Sequence, residues 1–373
     1  MERRRDHVQG IKQPAAAGKE SRKFAFLVHL RSYREDLKHI ARPLGWLPDQ
    51  FYHYTLGKRP LRPFLWSNVA IGADGDEASG SIIMVPYSGR QLLERPRQML
   101  PIVQDAVDLA VSKGATMIGL GGLISPVTLG GKLVAGRATY GVTNGNAFTA
   151  VTIFRRLQRL LDEFGGFRPT IAVVGATGSV GSLLCKMLAA QERDARYLLV
   201  ARNARKLDSF CHEVSRQYTS VSMSTSVRMD DVRHADIVVL VTSDAGSLLN
   251  PSHLRENCIV LDATQPRNAS RLITTLRSDI QLIDGGLVSV PSLRTNKIGR
   301  LGLPSGISFA CMAETMLLSL SGHNADFSIG NPGLEHAEAI GQMARKHDHL
   351  GFKTAEDHTF GKPQMVRLPE MVC

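Results

Sequence analysis

The sequence has few cysteines and no pattern among them. Cys185, Cys211, Cys258, Cys311 and Cys373 are the only five in 373 residues, an odd number, and no two stand in C-x-x-C spacing. That argues against a disulfide framework and a structural zinc site, and it suits a reducing cytoplasm. No metal is expected. Long apolar runs are also missing. Nothing approaches the roughly 18–20 residues that cross a bilayer, so at most a peripheral membrane contact is expected. The first 23 residues lack the apolar middle of a secretory signal. Acidic residues are in deficit, with 34 Asp and Glu against 45 Lys and Arg. The resulting charge of +11 shows no basic stripe interleaved with aromatics, which argues against specific nucleic-acid binding. Internal repeats and low-complexity tracts are absent too. A content of 43% hydrophobic and 21% charged residues excludes a disordered chain, a collagen-like repeat and a coiled coil.

The excess charge is uneven. Residues 1–23 hold seven basic side chains and three acidic ones with little apolar content, which predicts a basic flexible tail. The remainder is a mild bias, suited to an acidic partner or a phosphorylated cofactor. The length predicts two or three domains.

Apolar strands alternate with helical periodicity. Residues 24–28 and 81–86 read as buried strands, and Ser32 as the cap of a helix to about residue 42. Residues 90–113 carry apolar positions at helical spacing, stopped at Gly114. A short apolar strand at 117–120 runs into glycines, and residues 140–145 lead into a strong helix. From residue 170 the pattern sharpens. Buried strands at 170–174, 197–201, 237–241, 259–262 and 280–283, separated by helices, predict a parallel doubly wound sheet. Helices follow at about 308–320 and 333–346.

Gly175-x-x-Gly178-x-x-Gly181 sits between a strand and a helix, the setting of a dinucleotide-binding loop. Glycine is needed there for the tight turn, for approach of the pyrophosphate and for close helix packing. Gly175, Ala176, Thr177, Gly178, Ser179, Val180 and Gly181 are therefore candidate cofactor contacts, as is Thr242 after the strand at 237–241. After the second strand come Arg202, Asn203, Arg205 and Lys206, where an NAD enzyme usually carries an acid. Their charge suits a 2′-phosphate and predicts NADPH. A turn that binds nothing, followed by a solvated basic helix start, is the plain alternative.

Cys311 is the candidate nucleophile. On a helix starting near Ser308, the residues Phe309, Met312, Ala313, Met316, Leu317 and Leu320 form one apolar stripe, and Cys311 falls nearly opposite it. It lies in the first turn, where the helix dipole favours thiolate. An inert core cysteine is the competing reading, and it is stronger for Cys185, Cys211 and Cys258. Cys373 ends a second loose tail. His29 closes the first strand and is able to reach a cleft. His336, His347 and His349 lie without metal-site spacing.

Taken together, residues 171–182, Ala201-Arg-Asn203, Phe309-Ala-Cys-Met-Ala-Glu314, Met316-Leu-Leu318 and Phe327-Ser-Ile-Gly330 resemble the long-chain acyl-[acyl-carrier-protein] reductases best known from cyanobacteria. Residues 119–125, 142–150 and 262–268, with His29-Leu30, fit further segments of that family. The similarity runs over about 24–352, with divergence at 128–137 and 291–305. The resemblance implies NADPH-dependent reduction of a fatty acyl thioester to the aldehyde, with Cys311 as nucleophile and acyl carrier protein or coenzyme A as acyl donor. It also implies donors for a tetrahedral oxyanion. Asn144, Asn146 and the N–H groups near Gly121 and Gly122 are candidates, and Asn144 is taken as a catalytic residue. An acyl channel is expected near Phe148, Ile153 or Phe154. Two other classes compete: an NADP-dependent dehydrogenase of the shikimate type, working through a Lys–Asp pair, and a non-catalytic NADPH-binding protein. The expected fold is α/β. It has a basic tail over 1–23, an N-terminal α/β substrate domain over 24–150 and a Rossmann domain over 151–290. A C-terminal helical segment carrying Cys311 follows over 291–352, and a loose tail over 353–373. Oligomeric state is left open.

Overall fold

The computed structural model describes residues 22–364, apart from 32, 39–41, 57–60, 74 and 165–166. The expected basic tail up to residue 21, the Ser32 cap and residues 365–373, with Cys373, lie outside the described residues.

The first lobe begins with strand β1 (Lys23–Leu30) and helices α1 (Tyr33–Leu37) and α2 (Asp49–Leu56). Strands β2 (Phe64–Ile71) and β3 (Ala78–Ser88) follow, then helices α3 (Gly89–Glu94) and α4 (Pro96–Ser112). Strand β4 (Met117–Leu120), the single turn α5 (Ile124–Val127) and strand β5 (Gly141–Thr143) complete this stretch. Seven consecutive residues of β1 are buried, because the strand is central and covered on both faces. The helix expected over 90–113 is two helices. Pro96 lacks an amide proton and Arg95 before it leaves helical geometry at φ −132°, so α3 ends and α4 restarts.

Long helix α6 (Asn146–Glu163) leads into the second lobe. Its elements are β6 (Thr170–Val174), α7 (Ser179–Ala190), β7 (Arg196–Val200), α8 (Ala204–Gln217), β8 (Ser222–Ser226), β9 (Ile237–Leu240), β10 (Ile259–Asp262), α9 (Leu272–Leu276) and β11 (Gln281–Asp284). The six strands are all parallel, in the order β11-β10-β9-β6-β7-β8. That is the doubly wound dinucleotide-binding order, with its switch point between β6 and β9. The expected Rossmann-type sheet is present.

The remaining chain recrosses between the lobes. After β12 (Leu287–Ser289), strand β13 (Leu293–Thr295) pairs antiparallel with β2 and becomes the edge of the first sheet, whose order is β13-β2-β3-β1-β4-β5. Strand β14 (Ile307–Phe309) pairs with β12, and helix α10 (Ala310–Leu320) packs on β4, β1 and α6. Helix α11 (Leu334–Lys346) lies against α6, α7 and α10. The segment 291–352 thus completes the first lobe, instead of closing the molecule as a separate unit. The boundary drawn at residue 150 falls inside α6.

The described part of the expected loose tail is ordered. Strand β15 (Lys353–Thr354) pairs with β12, and β16 (His358–Thr359) with β17 (Lys362–Pro363). The Gly361 N–H donates to Asp284 Oδ2 at 2.6 Å, and the Thr359 hydroxyl to the Leu282 carbonyl, fixing this hairpin to β11. Among the described residues, no helix is long and apolar enough to cross a membrane.

Candidate active site

A cavity of about 710 Å³ opens between the lobes, walled by the C-terminal ends of strands from both sheets. On the second-lobe side lies the glycine loop. Gly175 has φ +96°, and a Cβ there would stand 2.8 Å from the Val241 carbonyl oxygen. A Cβ on Gly181 would fall 2.2 Å from the Gly175 carbonyl oxygen, so α7 crosses the loop at backbone contact. Gly178 begins α7 without a side-chain cap. The first N–H groups of the helix therefore remain for an anion, and the loop fits a pyrophosphate.

The other candidates on this lobe separate into wall and support. Ser179, Val180 and Thr242 line the cavity, Ala176 is buried beneath it, and Thr177 is half-buried. Ser179 Oγ donates to the Gly330 carbonyl at 2.8 Å and accepts from Asn146 Nδ2 at 2.8 Å, joining the lobes across the cleft. The Thr242 hydroxyl donates to Asn268 Oδ1, whose Nδ2 holds the Asp244 and Gly246 carbonyls at 3.1 and 2.7 Å. Asn203 Oδ1 accepts from the Lys206 N–H at 3.0 Å and caps α8. Arg202, Arg205 and Lys206 are exposed at the end of β7, where an adenosine ribose lies in this fold. Arg202 stands 3.8 Å from Asp244 with 93% of its side chain accessible. That contact is worth little in water and leaves the guanidinium available.

Cys311 is the second residue of α10, nearer the helix start than expected, because residues 307–309 pair as β14 before the helix begins. Every other residue of α10 is buried, and Cys311 alone is half-exposed, on the cavity wall. Its position opposite the apolar stripe thus becomes a position facing the cleft. Desolvation pushes the thiol up to about 12, and the nearby Glu314 carboxyl adds to the rise. The N–H groups of Met312, Cys311 and Gly122 oppose it, since each favours negative charge on sulfur. Those N–H groups converge on the Cys311 sulfur.

The loop bearing Gly122 is anchored by His29. A Cβ on Gly122 would stand 2.6 Å from His29 Nε2. That nitrogen accepts from the Leu123 N–H at 3.1 Å, and Nδ1 faces the Leu30 carbonyl at 2.8 Å. The carbonyl fixes the proton on Nδ1. Burial lowers the His29 pKa and keeps the ring neutral.

Asn144 lies at the cavity floor, but its amide is engaged. Nδ2 donates to the Gly130 and Gly330 carbonyls at 3.2 and 3.0 Å, and Oδ1 accepts from the Asn146 N–H at 3.0 Å. It ties three loops together and has no N–H left over for an oxyanion. The part assigned to Asn144 in the sequence is corrected to positioning.

Glu314, one turn below Cys311, was assigned no part. Its buried carboxyl accepts from the Phe148 N–H at 2.7 Å and from the Thr143 hydroxyl. It caps the start of α6 from outside that helix and fixes α6 to α10. Burial raises its pKa, against those hydrogen bonds.

Phe148, Ile153 and Phe154 do not line the cavity. They are buried core of α6, so the acyl channel expected there is misplaced. The apolar wall is instead formed by Phe26, Val28, Trp66, Met84, Leu301 and Phe309, from β1, β2, β3, the divergent 291–305 segment and β14. Trp66 Nε1 donates to the Ile298 carbonyl at 3.1 Å, which holds that segment over the cleft. The one carboxylate on the wall, Asp36, is held by Arg31 through Nε at 2.9 Å and through its backbone N–H at 2.6 Å. Composition carried no signal for this wall.

Cys185 and Cys258 are buried in the core, and burial raises both thiols, that of Cys258 to about 12. Cys211 packs half-buried on α8. His336 pairs with Glu335 at 2.9 Å, and His347 Nε2 lies 3.3 Å from Ser321 Oγ.

Comparison with known proteins agrees with the second lobe. The family described as Semialdehyde dehydrogenase, NAD binding domain, matches residues 170–276. The aminotransferase PigE of a Serratia species is 27% identical over 344 residues, covering 89% of this chain and 40% of that protein. The long-chain acyl-[acyl-carrier-protein] reductase of Synechococcus elongatus is 30% identical over 213 residues, covering 55% of this chain and 60% of that one. The chain thus spans less than two thirds of either curated relative. A solved structure of quinate dehydrogenase from Corynebacterium glutamicum, in complex with NAD, is 11% identical and covers 86% of this chain and 98% of its own. Its TM-score of 0.36 is too low to carry an argument. What these findings and the fold establish together is a pyridine-nucleotide-binding domain of the oxidoreductase type over residues 170–276.

Proposed function

We propose that the chain reduces a fatty acyl thioester, donated by acyl carrier protein or coenzyme A, to the fatty aldehyde with NADPH, through an acyl thioester on Cys311. One observation carries this reading. The single accessible residue of α10 is a thiol, and it opens on a cavity with the dinucleotide loop on one side and an apolar wall on the other. The likeness to an acyl-carrier-protein reductase supports it.

The chemistry follows from the residues at the wall. The Cys311 sulfur bonds to the thioester carbonyl carbon, the carbon–sulfur bond to the carrier breaks, and the proton lost by Cys311 leaves on the carrier thiol. The Gly122 and Met312 N–H groups hold the oxygen while it is negative. Phe26, Met84 and Leu301 take the acyl chain. The hydride that completes the reduction comes from the reduced nicotinamide when the cofactor is bound. A solvent proton restores the Cys311 thiol as the aldehyde leaves. Arg202, Arg205 and Lys206 suit the 2′-phosphate that distinguishes NADPH.

Cys311→Ala is expected to abolish aldehyde formation while NADPH still binds. Without NADPH, the wild-type chain incubated with acyl thioester should gain the acyl mass and lose it to hydroxylamine, and Cys311→Ala should gain none. Aldehyde from the variant, or an adduct at another residue, would overturn the reading.

A further inference from the structure

Outside the cleft, the described surface has one concentration of exposed apolar groups. Among the described residues twelve large hydrophobic side chains are exposed, and six of them fall within residues 46–65: Trp46, Leu47, Phe51, Tyr54, Phe64 and Leu65. Trp46 is 79% exposed and Tyr54 69%. A cluster of this kind on a folded surface marks an interaction site more often than scattered single residues do. The surface is held in shape from beneath. Tyr52 of α2 turns inward and stacks on Tyr33 with ring centroids 5.6 Å apart, which leaves Phe51 and Tyr54 outward. Arg34 Nε donates to the Gly45 carbonyl at 3.0 Å, fixing the turn before Trp46.

The charge around it is mainly positive. Residues 34–65 contain six basic side chains and three acidic ones, and of the acids Asp36 is turned inward onto Arg31. Arg34, Lys38, Arg42 and Arg62 are exposed beside the aromatics. Aromatic and leucine side chains bordered by Arg and Lys form the composition that enters the interface of an anionic bilayer. A second copy of the chain on the same face would set these cations against their own kind.

The patch also reaches the cleft. The Phe64 ring lies 5.9 Å from the ring of Trp66, and Trp66 lines the apolar wall of the cavity. We infer that the surface formed by residues 42–54 and 61–65 docks on an anionic lipid bilayer and turns the apolar end of the cleft toward the membrane. The docking stands independently of the reaction at Cys311. Only its use, as an exit for an apolar product into lipid, rests on the proposed function.

The test uses the full chain and two vesicle compositions, pure phosphatidylcholine and an equimolar mixture with phosphatidylglycerol. The chain should sediment with the anionic vesicles, and stay in solution with the neutral ones or at high salt. The Trp46→Asp, Phe51→Asp double variant should lower the bound fraction about tenfold or more. Trp46 and Trp66 are the only tryptophans, so Trp66→Phe leaves Trp46 as the sole reporter, and its emission should shift to the blue on anionic vesicles alone. Sedimentation of the double variant like wild type, or unchanged Trp46 emission, would overturn the inference. So would a wild-type oligomer that the double variant dissociates, because the surface would then join copies of the chain.

Discussion

Gly145 and Cys311 meet at van der Waals limit: a Cβ built on residue 145 would stand 2.3 Å from the Cys311 Cβ and 2.5 Å from its Cα. Gly145 also has φ +72°, which side-chain-bearing residues rarely adopt. Gly145→Ala is expected to push back the first turn of α10 and destabilise the fold by roughly 1–3 kcal/mol. It should also slow alkylation of Cys311. Chemical denaturation and mass-resolved iodoacetamide labelling read the two effects, and a variant equal to wild type in both would contradict the geometry.

The pH dependence of Cys311 follows from its environment. The thiol is pushed up to about 12, so near neutrality it is almost wholly protonated. Only the thiolate is nucleophilic, so alkylation should rise about tenfold per pH unit between pH 7 and 9 without a plateau. A plateau below pH 8 would mean that a nearby group depresses the thiol.

Glu314→Ala leaves the Phe148 N–H and the Thr143 hydroxyl without their buried acceptor, and is expected to cost roughly 2–5 kcal/mol. Glu314→Gln keeps one acceptor and should cost less. The raised pKa means the folded chain binds this proton more tightly than the unfolded chain. The stability of wild type relative to Glu314→Gln should therefore grow as pH falls toward the ordinary carboxylate range and shrink as pH rises. Denaturant melts of both chains across pH check the sign.

Cofactor choice is testable at the end of β7. Arg202→Ala with Arg205→Ala should weaken NADPH binding about tenfold or more and change NADH binding little. Equal loss for both cofactors would remove the 2′-phosphate from the account.

The second lobe was legible because its central strands are continuous apolar runs and its loop carries three glycines at a functional spacing. Strands that lack a continuous apolar run or a clean alternation were not. Strand β8 reads Ser-Met-Ser-Thr-Ser, half solvated, without an apolar run. Strand β2 is bulged between Leu65 and Ser67, which breaks its alternation, and β13 is only three residues long. Cys311 was legible through its place opposite an apolar stripe. The apolar wall was not, since Trp66, Met84 and Leu301 come from separate parts of the chain and meet only through pairing of both β3 and β13 with β2. Asn144 was placed at the cleft by its loop, but its hydrogen bonds, which decide its part, depend on Gly130 in a separate loop and on Gly330 far away in sequence.

The path of β13 also bears on how the molecule comes apart. A polypeptide divided near residue 165 would hand the second piece an edge strand and an almost wholly buried helix, α10, whose partners on β1, β4 and α6 lie on the first. The first piece in turn would lack the cover for β1 and β4. Such fragments should each be insoluble alone and regain structure only by complementation, since the two walls of the cleft are stitched through one another.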